Sequence, residues 1–122
     1  MKTTMKKAGD TVVVEVQGTI DFEAQAPLRD HLERLVDSTK SDSIPKKIIF
    51  DFSDLNFVGS SGIYSFIQTL KDINHRADQS TGIRPRYCNV KSEFQRLIKA
   101  FDEQNSFEFF ENSDRARKSF DN

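Results

Sequence analysis

Between Asp51 and Ile63 the chain reads DFSDLNFVGSSGI, a stretch that sets two adjacent hydroxyls, Ser60 and Ser61, between Gly59 and Gly62. Just upstream, Lys47-Ile48-Ile49-Phe50 is the short apolar run expected of a strand buried on both faces. Downstream, Ile63, Phe66, Ile67 and Leu70 recur at helical spacing. The change of period falls at Gly59 to Gly62, so the serines stand at the mouth of a helix. Unpaired backbone N–H groups and a partial positive charge at such a terminus tolerate an attached phosphate. Ser60 or Ser61 therefore fits a phosphoacceptor that a partner protein reads, and the local pattern does not choose between them. Either serine also fits a plain helix cap, because Ser is among the preferred N-cap residues.

Enzymatic chemistry finds less support. Gly59-Ser60-Ser61-Gly62-Ile63 does not match the G-x-S-x-G nucleophile elbow. The candidate bases, His31 and His75, fall within predicted helices, and a helix of about fifteen residues spans over 20 Å, which separates His75 from Ser60. Phosphate-binding G-x-x-x-x-G-K-[ST] and G-x-G-x-x-G patterns are missing, as is any paired Cys/His ligand set. No cofactor or metal is expected, and the chain reads as a non-enzyme.

At the same residues the chain resembles the STAS domain family, in particular its anti-sigma factor antagonists. Asp51-Phe52-Ser53, Phe57 and Ser60-Ser61-Gly62 occupy the places of the strand end, the aromatic residue and the phosphorylated step of that family. Gly18-Thr19-Ile20-Asp21 matches the Gly-x-Leu-Asp that precedes the family's first long helix. One departure is Gly59, which stands where an acidic residue usually precedes the phosphorylated serine.

The resemblance implies a protein-binding module phosphorylated at Ser60, with partner contacts at Asp21, Ser53, Gly59, Ser60, Ser61, Gly62 and Tyr64. The partners it implies are an anti-sigma factor serine/threonine kinase, which supplies Mg-ATP and the catalytic groups, and a resetting phosphatase. Sequestering the kinase would release a sigma factor. The family also supplies adaptor subunits of lipid-transport and stress-sensing complexes, in which Ser60 would be a helix cap only. Asp21 has a helix-entry role as its alternative, and Asp51 with Ser53 a hydrogen-bonded turn with Asp54 and Asn56.

The elements that must position these residues follow from the periodicity. Val12, Val14 and Val16 alternate with Val13, Glu15 and Gln17 over a strand from Thr11 to Gln17. Ala8-Gly9-Asp10 predicts a turn from Thr3–Lys6, a short antiparallel partner. A first helix is predicted from Ala24 to Thr39, with Pro27 in its opening turn and Leu28, Leu32, Leu35 and Val36 as its buried stripe. The second helix runs from Ser61 to about Ala77, with Tyr64, Gln68 and Lys71 on its solvent face. A strand follows at Arg86–Val90.

Ser92-Glu93-Phe94-Gln95 reads as a capping box opening a third helix, whose stripe is Phe94, Leu97, Ile98 and Phe101. Phe107–Phe110 is a last strand, and Asn112 or Ser113 caps a terminal helix. Strands alternating with helices predict an α/β, STAS-like single domain over residues 1–122. Its sheet is mixed and mostly parallel, with an N-terminal antiparallel edge strand and about four helices packed on it.

Composition limits the partners. Lys and Arg number 18 against 19 Asp and Glu, so bulk charge draws the chain to neither nucleic acid nor an anionic membrane. No apolar run is long enough to enter a bilayer, and the N-terminus lacks a secretory pattern. A cytoplasmic protein, monomeric or weakly homodimeric, is expected. Cys88 has no second cysteine to pair with and reads as core packing. Most of the 11 Phe fall at interior positions of the predicted helices and strands.

Overall fold

A computed structural model describes residues 2–20, 25–38, 47–57 and 61–121. Strands β1 (Lys2–Ala8) and β2 (Thr11–Ile20) form a hairpin whose loop is Gly9-Asp10. Gly9 takes a φ of 62°, the positive value that the first loop residue of a type II′ turn requires. Helix α1 (Gln25–Ser38), β3 (Lys47–Asp51), β4 (Leu55–Phe57) and α2 (Ser61–Thr81) follow. After them come β5 (Arg86–Cys88), α3 (Ser92–Phe101), β6 (Phe109–Phe110) and α4 (Ser113–Ser119).

The strands form one mixed sheet in the order β1-β2-β3-β5-β6, with β4 also paired to β2. Among the described residues only β1 runs antiparallel to its neighbour; β2 with β3, β2 with β4, β3 with β5 and β5 with β6 are parallel. The predicted mostly parallel sheet with an antiparallel edge and four helices is what forms.

Alternation along β2 decides which face is covered. Val12, Val14 and Val16 are buried, while Val13, Glu15 and Gln17 are half-buried on the other side. The valines join Leu28, Leu32 and Leu35 of α1, Phe66, Ile67, Leu70 and Ile73 of α2, and Phe94 and Ile98 of α3 in the main core. Ile48, Ile49 and Phe50 are at most 1% exposed, so β3 is buried on both faces as its apolar run predicts. The side chain of Val36 lies outside the description.

Several boundaries differ from the sequence reading. Helix α2 continues four residues past Ala77, because Ala77 itself is buried. It stops where Gly82, at φ 73°, donates its N–H to the Asp78 carbonyl at 2.8 Å, the left-handed stop that glycine makes readily. Strand β5 ends at Cys88, two residues early, since Asn89 takes a φ of 57°. The last strand is confined to Phe109–Phe110. Leu97, expected in the buried stripe of α3, is 39% exposed.

The capping box at Ser92 does not form. Lys91 is the N-cap, without a side-chain cap bond, and Ser92 is the first helical residue. Gln95 instead donates its side-chain amide to the Val90 carbonyl at 2.9 Å. At α4, Asn112 is the cap, and its Oδ1 accepts from the Arg115 N–H at 2.9 Å. Among the described residues, no helix is long and apolar enough to cross a membrane.

Candidate partner-binding site

The site lies at the carboxyl ends of parallel strands, where α2 begins. Strand β2 pairs first with β3, Glu15 opposite Asp51, and then with β4, Gly18 opposite Leu55. Three steps along β2 thus face four from Asp51 to Leu55, a bulge that separates β3 from β4. Beyond it Ile20 and Phe57 lie side by side, the last paired residues of β2 and β4.

The bulge is built by Asp51. Its Oδ1 accepts the Ser53 backbone N–H at 3.0 Å, closing an Asx turn, and the Asn89 side-chain amide at 3.1 Å. The Leu55 N–H returns to the Phe52 carbonyl at 3.2 Å, while Gly18 reaches the Asp54 carbonyl from β2 at 3.0 Å. Phe52 is held from the far side by its N–H to the Cys88 carbonyl, 3.1 Å. The turn expected at Asp51, Ser53 and Asp54 is therefore present, but Asn56 belongs to β4 and not to the turn.

Asn56 has a different task. Its Oδ1 accepts from Lys91 Nζ at 3.0 Å, and the same ammonium lies 3.4 Å from the Leu55 carbonyl. Lys91 thereby ties the start of α3 to β4, the strand that leads into the serines. Sequence reasoning missed both Lys91 and Asn89. Asn89 carried a local signal, since Asn tolerates the left-handed backbone it adopts; Lys91 carried none, because its partners lie 35 and 36 residues away.

Helix α2 opens at Ser61, and its first turn contains no acidic residue to repel an anion at the positive end of the helix. Gly62 is buried. Tyr64, three residues on and so on the same side of the helix as Ser61, is 54% exposed. Its ring lies 4.4 Å from that of Phe101 on α3, and Leu97 is one turn before Phe101. The solvent face expected of Tyr64 and Gln68 is present, with Lys71 half-buried. Ser53 is exposed beside the bulge. Asp21, Gly59 and Ser60 lie outside the described residues, as does the side chain of Ser61.

Cys88 and Tyr87 are withdrawn from solvent. Burial, followed by the nearby Asp51 charge, pushes the Cys88 thiol up to about 12, which keeps it protonated and inert. Burial likewise raises the Tyr87 hydroxyl, which donates to Asn74 Oδ1 at 3.2 Å. His31 and His75 are exposed on α1 and α2. His75 stands fourteen residues along α2 from Ser61, about 21 Å at the rise of a helix, too far to serve as its base. Among the described residues, no group of three or more His, Cys, Asp or Glu side chains is arranged to hold a metal ion.

Comparison with known proteins agrees with this architecture. A family model described as the STAS domain matches residues 2–116. Among solved structures, RsbS of Moorella thermoacetica, in a substituted form, superposes with a TM-score of 0.72 at 16% identity, covering 99% of this chain and 96% of that one. An anti-sigma factor antagonist from Mycobacterium paratuberculosis gives 0.71 at 19% identity, with 99% and 94% covered. SpoIIAA of Bacillus, in its phosphorylated form, gives 0.61 at 15% identity, with 98% and 99% covered. At such identities what the superposition shares is the fold.

Proposed function

The chain belongs to the STAS domain family, and on that premise we propose that it is an anti-sigma factor antagonist, a cytoplasmic binding module switched by phosphorylation at Ser60. Its unmodified form sequesters an anti-sigma factor serine/threonine kinase and so releases a sigma factor. The kinase transfers phosphate to Ser60, or to Ser61 as second choice, and a phosphatase removes it. Mg-ATP and the catalytic groups belong to the kinase; this chain is its ligand and its substrate.

The observation that supports this reading most is the composition of the α2 mouth. Strands β2 and β4 end together at Ile20 and Phe57, α2 opens at Ser61 with no acid in its first turn, and Tyr64 stands exposed one turn on. A phosphoserine adds about 1.5 to 2 negative charges, which the helix terminus accommodates while a docked partner must desolvate and oppose them. The modification thus acts on the complex and not on the fold.

Partner contacts are assigned to Asp21, Ser53, Gly59, Ser60, Ser61, Gly62 and Tyr64, which in sequence are on or next to β2, the β3–β4 turn and α2. The fold is shared with SpoIIAA, a protein solved in phosphorylated form, which favours a phosphoacceptor role over a cap alone. Incubation of the full chain with anti-sigma serine kinases and Mg-ATP, followed by mass-spectrometric mapping, tests the proposal. A single phosphate at Ser60 or Ser61 is expected. Its absence at both would reduce Ser60 to a helix cap and the chain to a static adaptor.

A further inference from the structure

The two faces of the sheet are closed in different ways. Helices α1, α2 and α3 seal the main core, whereas the opposite face over β3 and β5 is closed by α4. There Ala116 packs with Ile49 and Cys88, all 0% exposed, and Val13, Phe110 and Phe120 complete a small separate cluster. A helix of seven residues is well below the length of about 12 to 15 at which helices become even marginally stable in water, so α4 holds its shape only while docked.

Most of the polar interactions of α4 do not attach it to the sheet. Ion pairs Arg115–Glu111, Arg117–Asp114 and Lys118–Asp114 stay within the helix and its approach, and all are exposed. Attachment is concentrated at the far end. The Arg86 guanidinium sits over the Phe120 ring at 4.3 Å, with Lys47 Nζ 6.0 Å from the same ring. Arg86 Nε donates at 3.0 Å to Ser119 Oγ, which itself donates back to the Ala116 carbonyl at 2.6 Å. A second bond, to Glu108 at 3.1 Å, fixes Arg86 in place.

We propose that α4 is a strap that opens as one unit by release of the Arg86–Ser119–Phe120 clasp, while the sheet and the other three helices remain folded. The open form bares an apolar floor of Val13, Ile49, Cys88 and Phe110 that the closed form hides. Such local openings involve elements with few buried contacts, and they have free energies below that of global unfolding. The strap is independent of the α2 mouth, so it stands whether or not Ser60 is phosphorylated.

Cys88, the one cysteine and part of that floor, reports the opening. The full chain is mixed with dithiobis(nitrobenzoate), and the thionitrobenzoate released, one per chain, is followed across a urea series below the unfolding midpoint. The attacking Cys88 thiolate forms the new S–S bond as the reagent's own S–S bond breaks, and its proton passes to solvent. For the unaltered protein the logarithm of the rate should rise with urea at less than about half the slope of global unfolding, because little surface is exposed. Phe120→Ala should speed labelling about tenfold while changing the global unfolding constant by less. A slope equal to that of global unfolding, no labelling below the midpoint, or an acceleration no larger than the change in the global constant would each overturn the strap. The unaltered chain decides the matter alone if the variant fails to fold.

Discussion

Gly18 donates its backbone N–H to the Asp54 carbonyl at 3.0 Å, and it does so from a φ of 108°. This bond joins the last part of β2 to the turn that breaks β3 from β4. It sets the register in which Gly18, Thr19 and Ile20 meet Leu55, Asn56 and Phe57, and so brings the exits of β2 and β4 together. The backbone of one glycine therefore frames the proposed binding surface from some distance along the chain.

Replacing it should be felt first as strain. A side chain at that φ is sterically disfavoured, and Gly18→Ala should destabilise the fold by about 1 to 3 kcal/mol, read as a lowered urea midpoint. A loss under about 0.5 kcal/mol would show that the β2–β4 register does not depend on this conformation.

Lys91 should act more locally. Lys91→Met removes the ammonium from Asn56 Oδ1 and the Leu55 carbonyl but leaves the core intact. Because the group is exposed, global stability should fall by no more than about 1 kcal/mol. Amide exchange at Leu55–Phe57 should nonetheless quicken relative to β3. Uniform exchange in both strands would remove Lys91 from the set of residues that position the mouth.

Cys88 gives a pH dependence with a definite sign. Its thiol is pushed from 9.0 up to about 12 in the folded protein, so both states are protonated below 9.0 and the group then contributes no pH slope. Above 9.0 the unfolded chain loses the proton and the folded chain keeps it, and stability falls as pH rises toward about 12. The slope reaches at most about 1.4 kcal/mol per pH unit. Subtracting the profile of Cys88→Ala isolates this contribution, since Tyr87 titrates in both proteins. Parallel profiles over the first unit above 9.0 would refute the burial of the thiol.

What the sequence disclosed follows from how local each signal is. The alternation Val12, Val14, Val16, the stripe Phe66, Ile67, Leu70 and the Asn112 cap are written within a few residues, and each forms as read. Gly82 was an equally local stop for α2, and its φ of 73° accounts for the four extra residues of that helix. Strand β4 was hidden because three residues carry no period; its existence depends on Gly18 and Lys91, both about 36 residues away. Leu97 shows the limit of a periodic argument, since an apolar residue on the edge of a stripe is left 39% exposed.

At the candidate site, Ser53 and Tyr64, both named from the sequence, are exposed, and β2 and β4 pair side by side through Ile20 and Phe57. Of the scaffold behind them the sequence showed only the Asp51–Ser53 turn, not the long-range bonds that hold that turn in place. Asp51, Asn89 and Lys91 converge from three elements, and their bonds depend on the parallel register of β3 with β5, which no local pattern encodes.

The account's central claim is that charge at Ser60 governs partner binding without altering the fold. Titration calorimetry of Ser60→Ala and Ser60→Asp against the purified anti-sigma serine kinase, after both variants are shown to share a urea midpoint, tests it most directly. Ser60→Ala should bind like the unmodified protein, and Ser60→Asp at least about tenfold more weakly, a difference of about 1.4 kcal/mol. Equal affinities for the two variants would contradict the claim.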